Sequence, residues 1–145
     1  MREYKFRGKR VDNGEWVYGY YVHLTDGKRA TDQIYTGWAD RDIDEWFGEW
    51  HAVIPETVGQ YTGMKDKNGK DIYEGDIVLA VCAQTMYKKK DIRLQRAEIC
   101  WRDREYQGIL LDAVPGQRNY PGYFVWGLNG NGCEIIGNIH EGVTE

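Results

Sequence analysis

The sequence predicts a mainly β protein: an N-terminal β-meander, one short helix, and then a small curled barrel or sandwich of short strands. Three observations carry that expectation. Aromatic residues are 14% of the chain, with 6 Trp and 11 Tyr, and such side chains suit the pleated, half-buried surface of a strand. Glycine is frequent at 18 residues while proline is scarce at 3, a balance that fits strands joined by tight turns. Apolar residues recur mostly at every second position, in runs bounded by turn residues. With 145 residues the chain can bury a core without disulfide staples, as one domain or two small ones.

The first element is the stretch YKFRGKRVDNGEWVYGYYVHLTDGKRATDQIY. Its period of two is interrupted by Asn13-Gly14 and Asp26-Gly27, which are hairpin signals, so residues 3–36 read as a β-meander. Within it Trp16, Tyr18, Tyr20 and Val22 share one face of a strand. The period then changes in DRDIDEWFGEW, where Ile43, Trp46, Phe47 and Trp50 stand at i, i+3, i+4 and i+7 behind Asp40 as an N-cap. That spacing predicts a short amphipathic helix whose Trp stripe packs against a sheet.

After His51, AVIPETVGQYTG supplies two extended pieces around Pro55. Four further strands are expected: DIVLAVCA, RAEICW, YFVWGL and, after the turn Asn129 to Gly132, EIIGNI. The expected division is residues 1–52 for the meander with its helix and 53–145 for the barrel, the two being able to pack as one unit.

Between these parts lies KDKNGKDIYEGDIV, Lys65 to Val78, whose Asp66, Asn68 and Asp71 look like a series of calcium ligands. An EF-hand loop needs ligands at positions 1, 3 and 5, Gly at 6 and Glu at 12. Starting at Asp66 puts Asp71 at position 6 and Ile77 at 12; placing Gly69 at 6 puts Met64 at 1 and Gly75 at 12. Neither register works. The expectation is therefore a structural turn motif: Asn68-Gly69 makes one bend and Glu74-Gly75-Asp76 a second, with Asp66 and its neighbours accepting hydrogen bonds from backbone amides.

The segment VGQYTGMKDKNGKDIYEGDIV, with YKFRGKRVDNGEWVYG before it and EIIGNIHEG after it, resembles the YopX family of phage and prophage proteins over nearly the whole chain. The resemblance implies an origin in a phage, prophage or similar mobile element, and an SH3-type β-barrel for the C-terminal half. It brings no reaction with it. Residues 37–49 and 83–120 form the variable middle, where this chain need not follow relatives.

Composition and motifs narrow the function classes. With 19 basic and 23 acidic side chains the net charge is −4, which disfavours nonspecific coating of polyanions. Cys82, Cys100 and Cys133 form no CxxC pair, and no signal-peptide pattern opens the chain, so reduced thiols in the cytoplasm of a bacterial host are expected. No apolar run approaches the roughly 20 residues of a membrane span. His23, His51 and His140 are scattered, with no GxSxG elbow nearby, and no catalytic residues are assigned. Cys133 and His140 are too far along a strand for a metal pair, and GLNGNG lacks the Lys-Ser/Thr and the helix of a phosphate loop. No cofactor and no metal are expected.

One cluster is basic. Between Met86 and Arg104 stand Lys88, Lys89, Lys90, Arg93, Arg96, Arg102 and Arg104, with Tyr87 and Trp101 interleaved as a single-strand stacking platform would require. The favoured expectation is a solvated loop joining two strands, with Trp101 in the core. The function expected is a non-enzymatic module that binds a protein partner, self-association included. The alternative is a small nucleic-acid-binding barrel using Lys88, Lys89, Lys90, Arg93, Arg96 and Trp101.

Overall fold

The structure is a computed structural model, described for residues 5–27, 30–40, 45–83, 92–102, 105–110 and 133–143. The strands are β1 (Phe6–Lys9), β2 (Trp16–Thr25), β3 (Ala30–Tyr35), β4 (Trp38–Asp40), β5 (Glu45–Phe47), β6 (Trp50–Ala52), β7 (Gly59–Lys65), β8 (Asp71–Tyr73), β9 (Asp76–Ala83), β10 (Ile92–Arg102), β11 (Glu105–Leu110), β12 (Cys133–Asn138) and β13 (Gly142–Val143). The only helical turn among the described residues is a 3-10 turn at Pro55–Thr57. No helix there is long and apolar enough to cross a membrane.

The chain divides into two compact units, Met1–Tyr61 and Thr62–Glu145, with β7 running from one into the other. In the first unit the strand order is β6-β3-β2-β1-β7, every pair antiparallel, so β1, β2 and β3 form the meander expected from the period-two pattern. Residues 53–61 sit with this unit, beyond the expected division at 52. Val53 donates to the Asp32 carbonyl and Ile54 to that of Lys9, while Thr57 Oγ1 accepts the Lys9 amide at 2.8 Å. Ile34 and Val53 anchor the core, and Phe6 packs on Tyr21 with ring centroids 5.5 Å apart.

Among the described residues from Asp40 to Trp50 there is no helix, where one was expected: Asp40 ends β4, Glu45–Phe47 are β5, and Gly48 and Glu49 link them to β6. β4 and β5 pair in the register Trp38 with Phe47, Ala39 with Trp46 and Asp40 with Glu45, and Trp50 begins β6. Residues 41–44 lie outside the described ones. Two physical reasons account for the change. Four apolar residues in so short a run satisfy a helical period by coincidence, and Trp and Phe favour strands. In addition, Gly37 and Gly48 pass so close that a Cβ on Gly48 would fall 2.2 Å from the Gly37 Cα.

In the second unit β7 continues into a tight turn and β8, and β9 to β13 form an open antiparallel sheet in the order β11-β10-β9-β12-β13. Ile72, Val78, Ala97, Ile99 and Cys133 make its core, with Met64 and Ile135 packed against it. DIVLAVCA is β9, RAEICW lies within β10 and EIIGNI begins within β12. The strand β11 had no counterpart in the sequence reading. YFVWGL and GLNGNG lie outside the described residues. Among the described strands the sheet does not close into a barrel.

Candidate binding surface

Strand β2 alternates along its length, and its neighbours extend that alternation across the first unit. Residues directly opposite in an antiparallel pair share a face. Tyr18 stands opposite Arg7 of β1, and Tyr20 opposite Tyr35 of β3, which in turn stands opposite Trp50 of β6. Tyr18, Tyr20 and Trp50 are 46%, 56% and 53% exposed, whereas Tyr35 beneath them is 3% exposed and packs on Trp50 at 4.9 Å between centroids. Three large rings thus stay half in water around one that is buried. A sheet face usually hides its aromatic residues, so this surplus of exposed ring is the feature that a partner would cover.

Cations border these rings. Arg7 lies over the Trp16 ring at 4.8 Å, Lys9 over the same ring at 5.4 Å, and Lys5 over the Tyr61 ring at 5.9 Å. Such contacts hold long side chains flat against the sheet. The opposite face carries a different group: the Tyr21 hydroxyl donates to Asp32 Oδ1, and His23 Nδ1 is 2.9 Å from the same oxygen. Bonding to Asp32, reinforced by burial, pushes the Tyr21 hydroxyl up to about 12. The Tyr21 and His23 hydrogen bonds in turn hold Asp32 below the usual carboxylate range.

The turn stretch of the second unit is occupied internally. Asp66 is 3% exposed; its Oδ1 accepts the Asn68 and Lys70 amides at 2.8 and 2.9 Å, and its Oδ2 accepts the Ile135 amide of β12 at 3.2 Å. Lys67 completes the tie by donating to the Cys133 carbonyl. Burial pushes the Asp66 carboxyl up, and the amides of Lys70, Ile135 and Asn68 more than offset that, leaving it below its ordinary value. Gly69 has φ 82° and Gly75 φ 81°. The Gly75 amide donates to the Ile99 carbonyl of β10, and its carbonyl accepts from Ile139. Asp76, 1% exposed, accepts the Tyr73 amide across the second bend, with Glu74 between them in the chain.

Of the basic candidates and their aromatic neighbour, only Arg93, Arg96 and Trp101 fall among the described residues. Lys88, Lys89 and Lys90 lie outside the described residues, and Arg93 stands opposite Cys82 in β10 rather than in a loop. Arg96 and Trp101 are five residues apart on the same unbroken strand, hence on opposite faces. Trp101 shares its face with buried Ala97 and Ile99 but is itself 47% exposed, at the end of the core rather than in it as expected. Its position beyond the last core residue explains the difference.

The histidines are likewise apart: His23 faces Asp32, His51 is 3.7 Å from Glu49, and His140 sits in the turn between β12 and β13. Cys133 is buried, which raises its thiol, with the Asp66 charge adding to the effect. Among the described residues no three His, Cys, Asp or Glu side chains come together in a way that could hold a metal ion. The exposed aromatic face was legible as a shared face of β2, but the sequence carried no signal for its exposure.

No curated protein matches this chain. Among solved structures, protein EF1440 from Enterococcus faecalis is similar to it at 26% identity, covering 97% of this chain and 95% of that one, with a TM-score of 0.53. The family model described as YopX protein matches residues 5–143. That match covers nearly the whole chain, and the chain belongs to the YopX family.

Proposed function

We propose that this chain is a non-enzymatic binding module, encoded by a phage or prophage and working in the host cytoplasm, that engages a protein partner through the aromatic face of its first unit. A second copy of the chain counts among such partners. The observation that carries the reading is the group of Tyr18, Tyr20 and Trp50, each about half exposed around buried Tyr35. Aromatic side chains of this kind dominate protein interfaces because they bring large apolar area with little rotamer entropy to lose. For the second unit we retain the SH3-type barrel as the proposed architecture, supported by its short antiparallel strands in neighbour-to-neighbour order.

Affinity capture from host cells, with and without nuclease, tests the reading. A nuclease-resistant protein, captured by the native chain and lost with Tyr18→Ala/Tyr20→Ala, is the expected result. Capture that survives both substitutions removes this face from the account.

A further inference from the structure

Asn-Gly steps stand at Asn13, Asn68, Asn129 and Asn131, and the first two fall among the described residues. Such a step carries its own nucleophile, because a glycine amide has no side chain beside it to hinder approach to the preceding asparagine carboxamide. Exposure does not separate the two described steps: Asn13, Gly14, Asn68 and Gly69 are all exposed, and Gly14 and Gly69 have φ of 72° and 82°. Each glycine amide also donates to a backbone carbonyl at 3.0 Å, Gly14 to that of Arg10 and Gly69 to that of Asp66. The nitrogen can attack only when that bond opens, so the two steps differ in what must open with it.

At Asn68 much must open. Its amide donates to Asp66 Oδ1 at 2.8 Å, and its side chain donates to the carboxylates of Asp66 and Glu134. Buried Asp66 is itself held by the amides of Lys70 and, from β12, Ile135. At Asn13 little must open. Its Nδ2 donates to Glu15 Oε2 at 2.8 Å and its Oδ1 accepts the Glu15 amide at 3.0 Å, within a loop whose residues 11–15 are all exposed.

We propose that Asn13 is a site of spontaneous deamidation, and that the bonds gathered on Asp66 shield Asn68 from the same reaction. The Gly14 nitrogen gives its proton to solvent and attacks the Asn13 Cγ. The bond from Cγ to Nδ2 breaks, ammonia leaves, and a cyclic imide remains. Water then opens the imide at either carbonyl, giving aspartate or isoaspartate, with nothing oxidised or reduced. Either product replaces the Nδ2 donor that faces Glu15 with a carboxylate, in a loop that already holds Asp12 and Glu15. Isoaspartate also lengthens the backbone by one carbon between Arg10 and Glu15, whose bond from the Arg10 amide to the Glu15 carbonyl at 2.9 Å closes the β1–β2 hairpin. Conversion therefore loosens that hairpin.

The test incubates the full chain in mildly alkaline buffer and follows each Asn-Gly step by peptide mass mapping, with a parallel sample unfolded in urea. In the folded chain Asn13 should convert, mainly to isoaspartate, about tenfold or more faster than Asn68, because the rate follows the population of locally opened chain. In urea the two steps should convert at similar rates, and the melting temperature of the folded sample should fall as isoaspartate accumulates. Equal conversion of the two steps in the folded chain, faster conversion of Asn68, or an unreacted Asn13 overturns the proposal. A difference that persists in urea assigns the selectivity to sequence and overturns the shielding by Asp66. An unchanged melting temperature at full conversion overturns the loosening of the hairpin.

Discussion

The turn stretch of the second unit and the aromatic strand of the first treat their side chains in opposite ways. From Lys65 to Val78 the chain is dense in charge, yet Asp66 and Asp76 are buried and accept hydrogen bonds from backbone amides. From Trp16 to Leu24 it is dense in aromatic and apolar groups, yet Tyr18, Tyr20 and Leu24 remain about half exposed. A buried carboxylate engaged by three amides has little capacity left for a ligand, whereas an exposed ring keeps its apolar surface for one. What a side chain is already bonded to separates framework from candidate site better than its chemical type does.

The comparison breaks most easily at Asp66. Asp66→Ala strands the amides of Asn68, Lys70 and Ile135, and should cost about 3 kcal/mol in urea unfolding. An unchanged midpoint would mean that the stretch is not framework. Because the Asp66 carboxyl is lowered in the folded state, its contribution is complete above the ordinary value of 3.8 and is lost as pH falls through the lower folded value. Asp66→Asn should therefore flatten the acid limb of a stability–pH profile.

The two glycines sharpen the same side. Both occupy the left-handed region, but a Cβ on Gly75 would meet Ile139 at 3.3 Å, whereas one on Gly69 meets nothing within 4 Å. Gly75→Ala should cost about 2 kcal/mol and Gly69→Ala about 1 kcal/mol, read from denaturant midpoints. Equal costs would show that backbone conformation alone decides.

On the first unit, Tyr21 offers an alkaline counterpart. Its raised folded value gives stability that is complete below the ordinary 10.0 and lost as pH rises through about 12. In an absorbance titration Tyr21→Phe should remove a late-ionising tyrosine, and retention of the late step would place that hydroxyl elsewhere.

The smallest effect is expected from the basic segment. Replacing Lys88, Lys89, Lys90, Arg93 and Arg96 with Ser or Gln should leave the melting temperature and partner capture unchanged, and the native chain should bind single-stranded DNA no tighter than about 10 μM at physiological salt. A submicromolar, salt-sensitive complex abolished by the substitutions would move the binding site to the second unit.

Strands were legible where turn residues bounded an alternating run, as in β2, or a continuous apolar one, as in β9. The 40–50 segment misled because the Trp and Phe positions that fit a helix also fit strands, and the Gly37–Gly48 approach that favours the latter is not a local signal. Gly69 and Gly75 carried their turns visibly. The Ile135 amide that engages Asp66 is 69 residues away, and no local pattern announces it. The shared face of Trp16, Tyr18 and Tyr20 was readable from parity, but its exposure depends on what the rest of the chain leaves uncovered.

The most direct test of the contrast is partner capture by the double variant Tyr18→Ala/Tyr20→Ala beside the native chain, with melting curves of both. Half-exposed side chains cost little to truncate, so the variant should stay folded, within about 1 kcal/mol of the native chain. The account predicts a folded variant that captures no partner. A folded variant that captures the same partner in the same amount would contradict it.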